Sequence, residues 1–359
     1  MGEIKMPLPQ VDTEAYNKTI QAGFKKYPQR EENYKKYLLN PRSINLDYMP
    51  IKMDIEPINR CNLRCTMCLI PMLDSQQAAD DLMLEDFKRL IDDQYGVYEI
   101  KIQGIGETFL HKDFIKMVQF ASEKYIWTRT ATNAVIIDQN EYYKAIVDAG
   151  IGEMLLSIDG TTKETYEKIR VNSNFERVVK NAKLINNYCN KVGIDKTRMW
   201  AVLQKENFHE LYNFVPFAKE LGFKRLTLTI NLGFVGDKTL QEINRPKDIS
   251  KTITQDNVDR LLELADRAEI DLTFWYITTK YTKDNLCPWP FERAFISCDK
   301  YICPCCTITN TKAVNFGQAE HFSEIWFSEL YRNFRAAHKE GNIPHECRFC
   351  YKKDGLTEK

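Results

Sequence analysis

Cys61-Asn62-Leu63-Arg64-Cys65-Thr66-Met67-Cys68 spaces three cysteines three and then two residues apart, directly after an alternating run at 51–57 that predicts a β-strand. Three thiolates so close together can hold three corners of a cubane [4Fe–4S] cluster, leaving the fourth iron without a protein ligand and open to a small molecule. Half of a zinc site is the alternative. Structural zinc needs four ligands, however, and no fourth Cys or His lies nearby in the sequence.

Outward from this loop the chain repeats a short β-type run, a loop and an amphipathic helix. The strand candidates are 51–57, 99–104, 128–134, 153–159, 198–204 and 225–231. Between them Leu84, Phe87, Leu90 and Ile91, or Phe114, Met117, Val118 and Ala121, keep the three-and-four spacing of one buried helix face. Alternating strand and helix predicts a parallel sheet with right-handed crossovers, and six units suit a partial (β/α)6 TIM-like barrel better than a full eightfold one. Chemistry in such barrels sits at the carboxyl ends of the strands. Gln103-Gly104-Ile105-Gly106-Glu107-Thr108, Thr132-Asn133-Ala134 and Ser157-Ile158-Asp159-Gly160 stand there. The glycines allow close backbone approach to a ligand, and Glu107 can accept from an ammonium group. Taken singly, each of these stretches also reads as a turn or a cap.

Composition limits the alternatives. Of 359 residues 43% are hydrophobic and 28% charged, with 50 basic and 50 acidic side chains, which predicts a globular protein without a global field for nucleic acid or anionic membrane. No apolar run is long enough to span a membrane and no signal-peptide core is present, so a cytoplasmic location is expected, with no nucleic-acid or membrane partner. Eleven cysteines gathered into two groups point to metal or redox chemistry rather than to disulfides. Cys189 stands apart, on the apolar stripe of a helix expected over 174–191, and reads as a small buried hydrophobe.

The three-cysteine loop, the Gly-x-Gly-Glu turn, the Ser-Ile-Asp-Gly strand end and Thr165-Tyr166-Glu167-Lys168-Ile169-Arg170 together resemble the radical S-adenosylmethionine superfamily. The resemblance covers roughly 51–231 and continues beyond. It implies that Cys61, Cys65 and Cys68 ligate the cluster and that S-adenosylmethionine chelates the open iron through its amino and carboxylate groups. It further implies cofactor contacts from Gly104, Gly106 and Glu107, with Asn133 and Ser157 near the ribose or methionyl moiety and Arg170 a candidate for the carboxylate. Met67 replaces a common aromatic residue and Thr108 a common proline, neither of them a ligand.

Towards the carboxy terminus come Cys287, Cys298, Cys303, Cys305, Cys306, Cys347 and Cys350. The pair Cys347-x-x-Cys350 has metal-binding spacing, and Cys287 is a plausible distant ligand. Asp299, Tyr301-Ile302-Cys303-Pro304-Cys305-Cys306, Phe316-Gly317 and Ile325-Trp326 resemble the SPASM/twitch auxiliary-cluster domains, in which a β-hairpin ends in a Pro-Cys ligand. That resemblance implies one auxiliary [4Fe–4S] cluster on Cys287, Cys305, Cys347 and Cys350, with Cys306 the close rival of Cys305. A zinc ribbon is the competing reading of the spacing. The expected organisation is an extension at 1–50, a barrel core at 51–231, a connection at 232–284 and a small α+β auxiliary domain at 285–359. The breaks at 232–253 predict a loop over the barrel mouth, or a linker.

By resemblance the chain is an enzyme that cleaves S-adenosylmethionine to a 5′-deoxyadenosyl radical, with two [4Fe–4S] clusters and a reducing partner such as flavodoxin or ferredoxin. The first expectation for its substrate is a small molecule, a carbohydrate or aminocyclitol-like alcohol oxidised to a ketone with the auxiliary cluster as electron acceptor. Modification of a ribosomal peptide, by thioether formation, crosslinking or epimerisation, is the alternative. Sixty residues precede Cys61 and nine follow Cys350, from which no sizeable attached leader-peptide-binding domain is expected. Redox-neutral epimerisation of a small molecule and a non-enzymatic electron-transfer or zinc-binding module complete the set. The five histidines form no catalytic constellation, and no general base is identified.

Overall fold

The computed structural model describes residues 4–10, 13–72, 80–232, 238–276, 279–308, 311 and 314–352. Among the described residues there are nine strands: β1 (Lys52–Ile55), β2 (Glu99–Ile102), β3 (Trp127–Thr132), β4 (Glu153–Ser157), β5 (Thr197–Val202), β6 (Arg225–Thr229), β7 (Asp271–Trp275), β8 (Arg293–Ile296) and β9 (Ile302–Cys303). The first six each end two residues before the run expected from the sequence does. Those two residues leave the ladder to begin a loop, which is how polar side chains come to lie at the strand ends. The parallel α/β architecture is as expected.

The chain divides into two compact units, neither of them continuous. One comprises Met1–Val11, Cys61–Asp74 and Thr130–Ile277. Its strands run in the order β7-β6-β5-β4, all parallel. Met154, Leu156, Met199, Ala201, Leu226, Leu228 and Phe274 are fully buried, the apolar run of a sheet covered on that face. Helix Phe175–Lys191 starts where Asn174 accepts from the Arg177 amide, and it buries Cys189 as the stripe required. Helix Gln255–Ala268 opens on a capping box of Thr254 and Asn257. On the other sheet face Glu153 accepts from Arg198 Nε at 3.1 Å and from Arg225 Nη1 at 2.7 Å, all three side chains being buried.

The second unit comprises Asp12–Arg60, Ser75–Arg129 and Thr278–Lys359, with strand order β3-β2-β1-β8-β9. Helices Glu14–Lys26 and Pro28–Leu39 are fixed to it through Tyr16, whose hydroxyl donates to Glu99 at 2.9 Å, and through Asn33, which both donates to and accepts from the Met49 backbone. β8 pairs in parallel with β1, bringing Arg293 beside Lys52, and antiparallel with β9. The auxiliary hairpin expected from the sequence is therefore β8–β9, and its first strand also extends the parallel sheet. In-register residues of a parallel pair share a face, so Met53, Ile55, Ile100 and Ile102 line one side. Lys52, Asp54, Glu99 and Lys101 line the other. Among the described residues no helix is long and apolar enough to cross a membrane.

Glu153→Gln would take the buried carboxylate from between two buried guanidinium groups, leaving Arg198 to the exposed Asp271 at 3.6 Å and Arg225 to the less buried Asp195 at 3.1 Å. Breaking a buried ion pair by removing one partner costs about 3–5 kcal/mol. Denaturant unfolding is expected to show a loss of that order, whereas the exposed pair Lys163–Glu176 should give almost none when Glu176 is changed to Gln.

Candidate functional site

The three-cysteine loop is held by its own backbone. Arg64 and Thr66 donate their amides to the carbonyls of Val171 (2.9 Å) and Ile169 (3.0 Å), at the end of helix Lys163–Ile169. Arg64 Nη1 closes on the Cys61 carbonyl at 2.8 Å, and the amides of Leu63 and Cys68 turn inward to Cys61 Sγ and the Cys65 carbonyl. The three sulfurs act on one another electrostatically. Burial pushes the Cys65 thiol up to about 12; Arg170 opposes this, while Cys68 and Cys61 add to it. Cys68 is raised by burial too, against the amides of Ile70 and Leu69 and the charges of Arg170 and Arg64. Such thiols stay protonated unless a cation takes the proton's place, which is what a metal cluster does.

Arg170, expected near a carboxylate ligand, is buried and already paired. Its Nε and Nη2 both lie 2.7 Å from Asp159 Oδ2, and Asp159 Oδ1 accepts from the Val202 amide. Asn133 follows β3 and donates to Asn62 Oδ1 at 2.8 Å, with Cys61 Sγ at 3.7 Å. Ser157 ends β4, half-buried, in register with Trp200. The segment 232–253, expected to be a loop or linker, includes helix Lys238–Asn244 and a turn at Arg245–Lys247. From it Asn244 donates to the Met67 carbonyl and Lys247 to that of Thr66.

The Gly-x-Gly-Glu turn belongs to the second unit. A Cβ on Gly104 would lie 2.0 Å from Glu56 Oε1, and one on Gly106 2.4 Å from the Ile58 carbonyl. The expected ligand approach is thus not the first reason for these glycines, because the chain itself fills the space beside them. Glu107 is buried, caps the turn Thr108–Leu110 through the Phe109 amide and donates its own amide to the Arg60 carbonyl. Glu56, which sequence reading passed over, accepts from the amides of Ile105 and Cys298, and its burial raises its pKa. One acidic residue after a strand carries no periodic signal. The glycine opposite it was the available hint.

The same unit gathers the carboxy-terminal thiols, which are not joined in disulfides. Burial raises Cys347 well above the ordinary thiol value, and Cys305, Cys287 and Cys350 add to it, so the four expected ligands act on one another. Cys306 feels Asp54 first, then Cys305, Lys101 and Arg293. Its surroundings are the charged face of β1, β2 and β8. Cys298 and Cys303 are buried beside Glu56 and Asp299. Among the described residues no three His, Cys, Asp or Glu groups are drawn in tightly enough to define an ion's position. The structure does show two sets of soft donors, Cys65 buried and the other six half-buried, the ligand chemistry that an iron–sulfur cluster needs.

The sequence profile of the radical SAM superfamily matches residues 55–218, and that of SPASM, an iron–sulfur cluster-binding domain, matches 287–351. The chain belongs to the radical SAM superfamily. It is a radical SAM enzyme with a SPASM domain, and S-adenosylmethionine and two [4Fe–4S] clusters are its cofactors. Over 315 residues it is 23% identical to a PqqA peptide cyclase of Bradyrhizobium diazoefficiens, covering 84% of this chain and 79% of that one. It is 24% identical to a tungsten-containing aldehyde ferredoxin oxidoreductase cofactor-modifying protein of Pyrococcus furiosus, covering 84% and 87%. Among solved structures, Streptococcus suis SuiB bound to precursor peptide SuiA shares the fold, with a TM-score of 0.66 and 18% identity over 85% of this chain and 70% of that one.

A relay supports the Cys287 backbone. The Cys287 amide donates to Tyr351 Oη at 3.0 Å, and the same hydroxyl lies 2.8 Å from His338 Nδ1. Burial lowers the His338 pKa to about 4. Unfolded histidine titrates near 6.5, so below that the unfolded chain binds a proton that the folded chain refuses until about pH 4. The stability due to the neutral ring is present in full above pH 6.5 and is lost as pH falls towards 4. Unfolding free energies from denaturant titrations across that window should drop by up to roughly 3 kcal/mol more in the wild type than in His338→Gln.

Proposed function

We propose that this enzyme modifies a precursor peptide. The observation that carries the reading is likeness along 84% of the chain to a protein named for acting on a peptide, the PqqA cyclase. The likeness to SuiB supports the fold alone. Cys61, Cys65 and Cys68 would hold one cluster with S-adenosylmethionine on its open iron, and Cys287, Cys305, Cys347 and Cys350 the other. Together with the cofactor, the first cluster supplies a radical able to take hydrogen from an unactivated carbon.

This chain's part is to hold and to orient. The amides of Arg64 and Thr66, tied to the helix end, fix the loop carrying the three sulfurs. Asn133 presents an amide to Cys61 and Asn62 on the side where β3 ends. We assign the Glu107 carboxylate to the cofactor's ammonium and the Ser157 hydroxyl to its ribose or methionyl moiety, with Gly104 and Gly106 shaping the turn that carries Glu107. Arg170 keeps a guanidinium beside Cys65 and Cys68, anchored by Asp159. A flavodoxin- or ferredoxin-type reductant completes the proposal.

One observation favours the small-molecule reading, in which an alcohol is oxidised to a ketone: a relative of equal coverage is named for modifying a cofactor. The two readings separate in one experiment. Reconstituted protein, reduced with S-adenosylmethionine and the short peptides encoded beside its gene, is expected to release 5′-deoxyadenosine and to change the mass of one peptide. Cys65→Ala should bring both to background. If every peptide stays unchanged while a polyol stimulates 5′-deoxyadenosine and gains a carbonyl, the peptide reading is wrong.

A further inference from the structure

We propose that Lys280 sets the reduction potential of the carboxy-terminal cluster, its ammonium acting as a fixed positive charge that favours the reduced form. The inference rests on Cys287, Cys305, Cys347 and Cys350 holding that cluster and is independent of what the substrate is. Lys280 lies on a short segment laid along the last cysteine pair. Thr279 donates its amide to the Phe349 carbonyl at 3.0 Å, Lys280 and Tyr281 donate to that of Cys350 at 2.8 and 2.9 Å, and Lys352 returns an amide to Tyr281. Tyr281 and Tyr351 form a parallel bridge, with their rings 5.7 Å apart. Backbone contacts on both sides therefore hold Lys280 in place.

Burial lowers the Lys280 pKa, and the sulfurs of Cys350, Cys306, Cys287 and Cys305 oppose this, so negative charge gathered on those sulfurs by a cluster would keep the ammonium protonated. After burial, Lys280 is the first influence on the Cys350 thiol. Other charges reach the site from other elements. Glu346 acts on Cys347, and Asp54, Lys101 and Arg293 act on Cys306. Asp54 and Arg293 are themselves 3.4 Å apart and largely offset each other. Reducing a cluster adds one negative charge, and a nearby cation in a poorly solvated site stabilises that charge far more than it would in water. A raised potential makes the cluster a better electron acceptor, which suits chemistry that must dispose of an electron after hydrogen abstraction.

The test is an EPR-monitored redox titration of the full chain carrying Cys65→Ala, so that only the carboxy-terminal cluster contributes, with iron and sulfide counted in each sample. Lys280→Gln is expected to lower the reduced-to-oxidised ratio about tenfold at a fixed potential, which is 59 mV for a one-electron couple. Lys280→Arg keeps the charge and should titrate with the parent. The proposal is overturned if Lys280→Gln keeps its iron and titrates with the parent, or if the arginine variant shifts as far as the glutamine one. Lys280→Met, closer in length, replaces Lys280→Gln if the latter loses iron. Loss from both would overturn the proposal in favour of a purely structural lysine. Such a failure would leave the peptide reading untouched, since no substrate enters the measurement.

Discussion

The buried pair of Asp159 and Arg170 joins three things that have to stay together. Asp159 closes the end of β4, takes the Val202 amide at the end of β5 on one oxygen and binds Arg170 with the other. Arg170 ends the helix whose last carbonyls hold the cysteine loop. Its charge also faces Cys65 and Cys68 and opposes the burial that keeps those thiols protonated. A buried pair of this kind adds little net stability, because desolvation offsets most of the attraction. What it supplies is position, and a cluster-binding loop depends on position.

The auxiliary site solves the same problem differently. Its thiols come from three separate stretches, around 287, 305 and 347–350, so no single loop can fix them. The backbone bridge of Tyr281 to Tyr351, the relay from Cys287 through Tyr351 to His338, and the hairpin β8–β9 each pin one stretch. β8 also runs beside β1, which ties this segment into a sheet begun some 240 residues earlier in the chain.

Much of this was legible in the sequence, because it rests on period and spacing. Alternating strands, the helix stripes, the two cysteine groups and the Pro304-Cys305 hairpin end all carry repeated or local signals. The parallel return of β8 to β1 does not, since a four-residue run says nothing about which distant strand it will join. Glu56 and Lys280 were missed for a related reason: single charged residues in loops look like surface until their neighbours are known. The glycines of the 104–107 turn were seen, but their first duty is to clear Glu56 and the Ile58 backbone. Substrate class was the least legible feature. The expectation of a small molecule rested on an electron-accepting cluster, which serves a sugar alcohol and a peptide alike, and likeness to a peptide cyclase now weighs against it.

Asn244 and Lys247 reach to the carbonyls of Met67 and Thr66. Coupling between two sites is reciprocal. If loading the three sulfurs stiffens residues 66–67, these two bonds pass the order on to 238–247, and a ligand that settles on 238–247 then favours the loaded loop by the same factor. The state of the metal is thereby written into a stretch of chain that holds none of it, where protease sensitivity or amide exchange can read it.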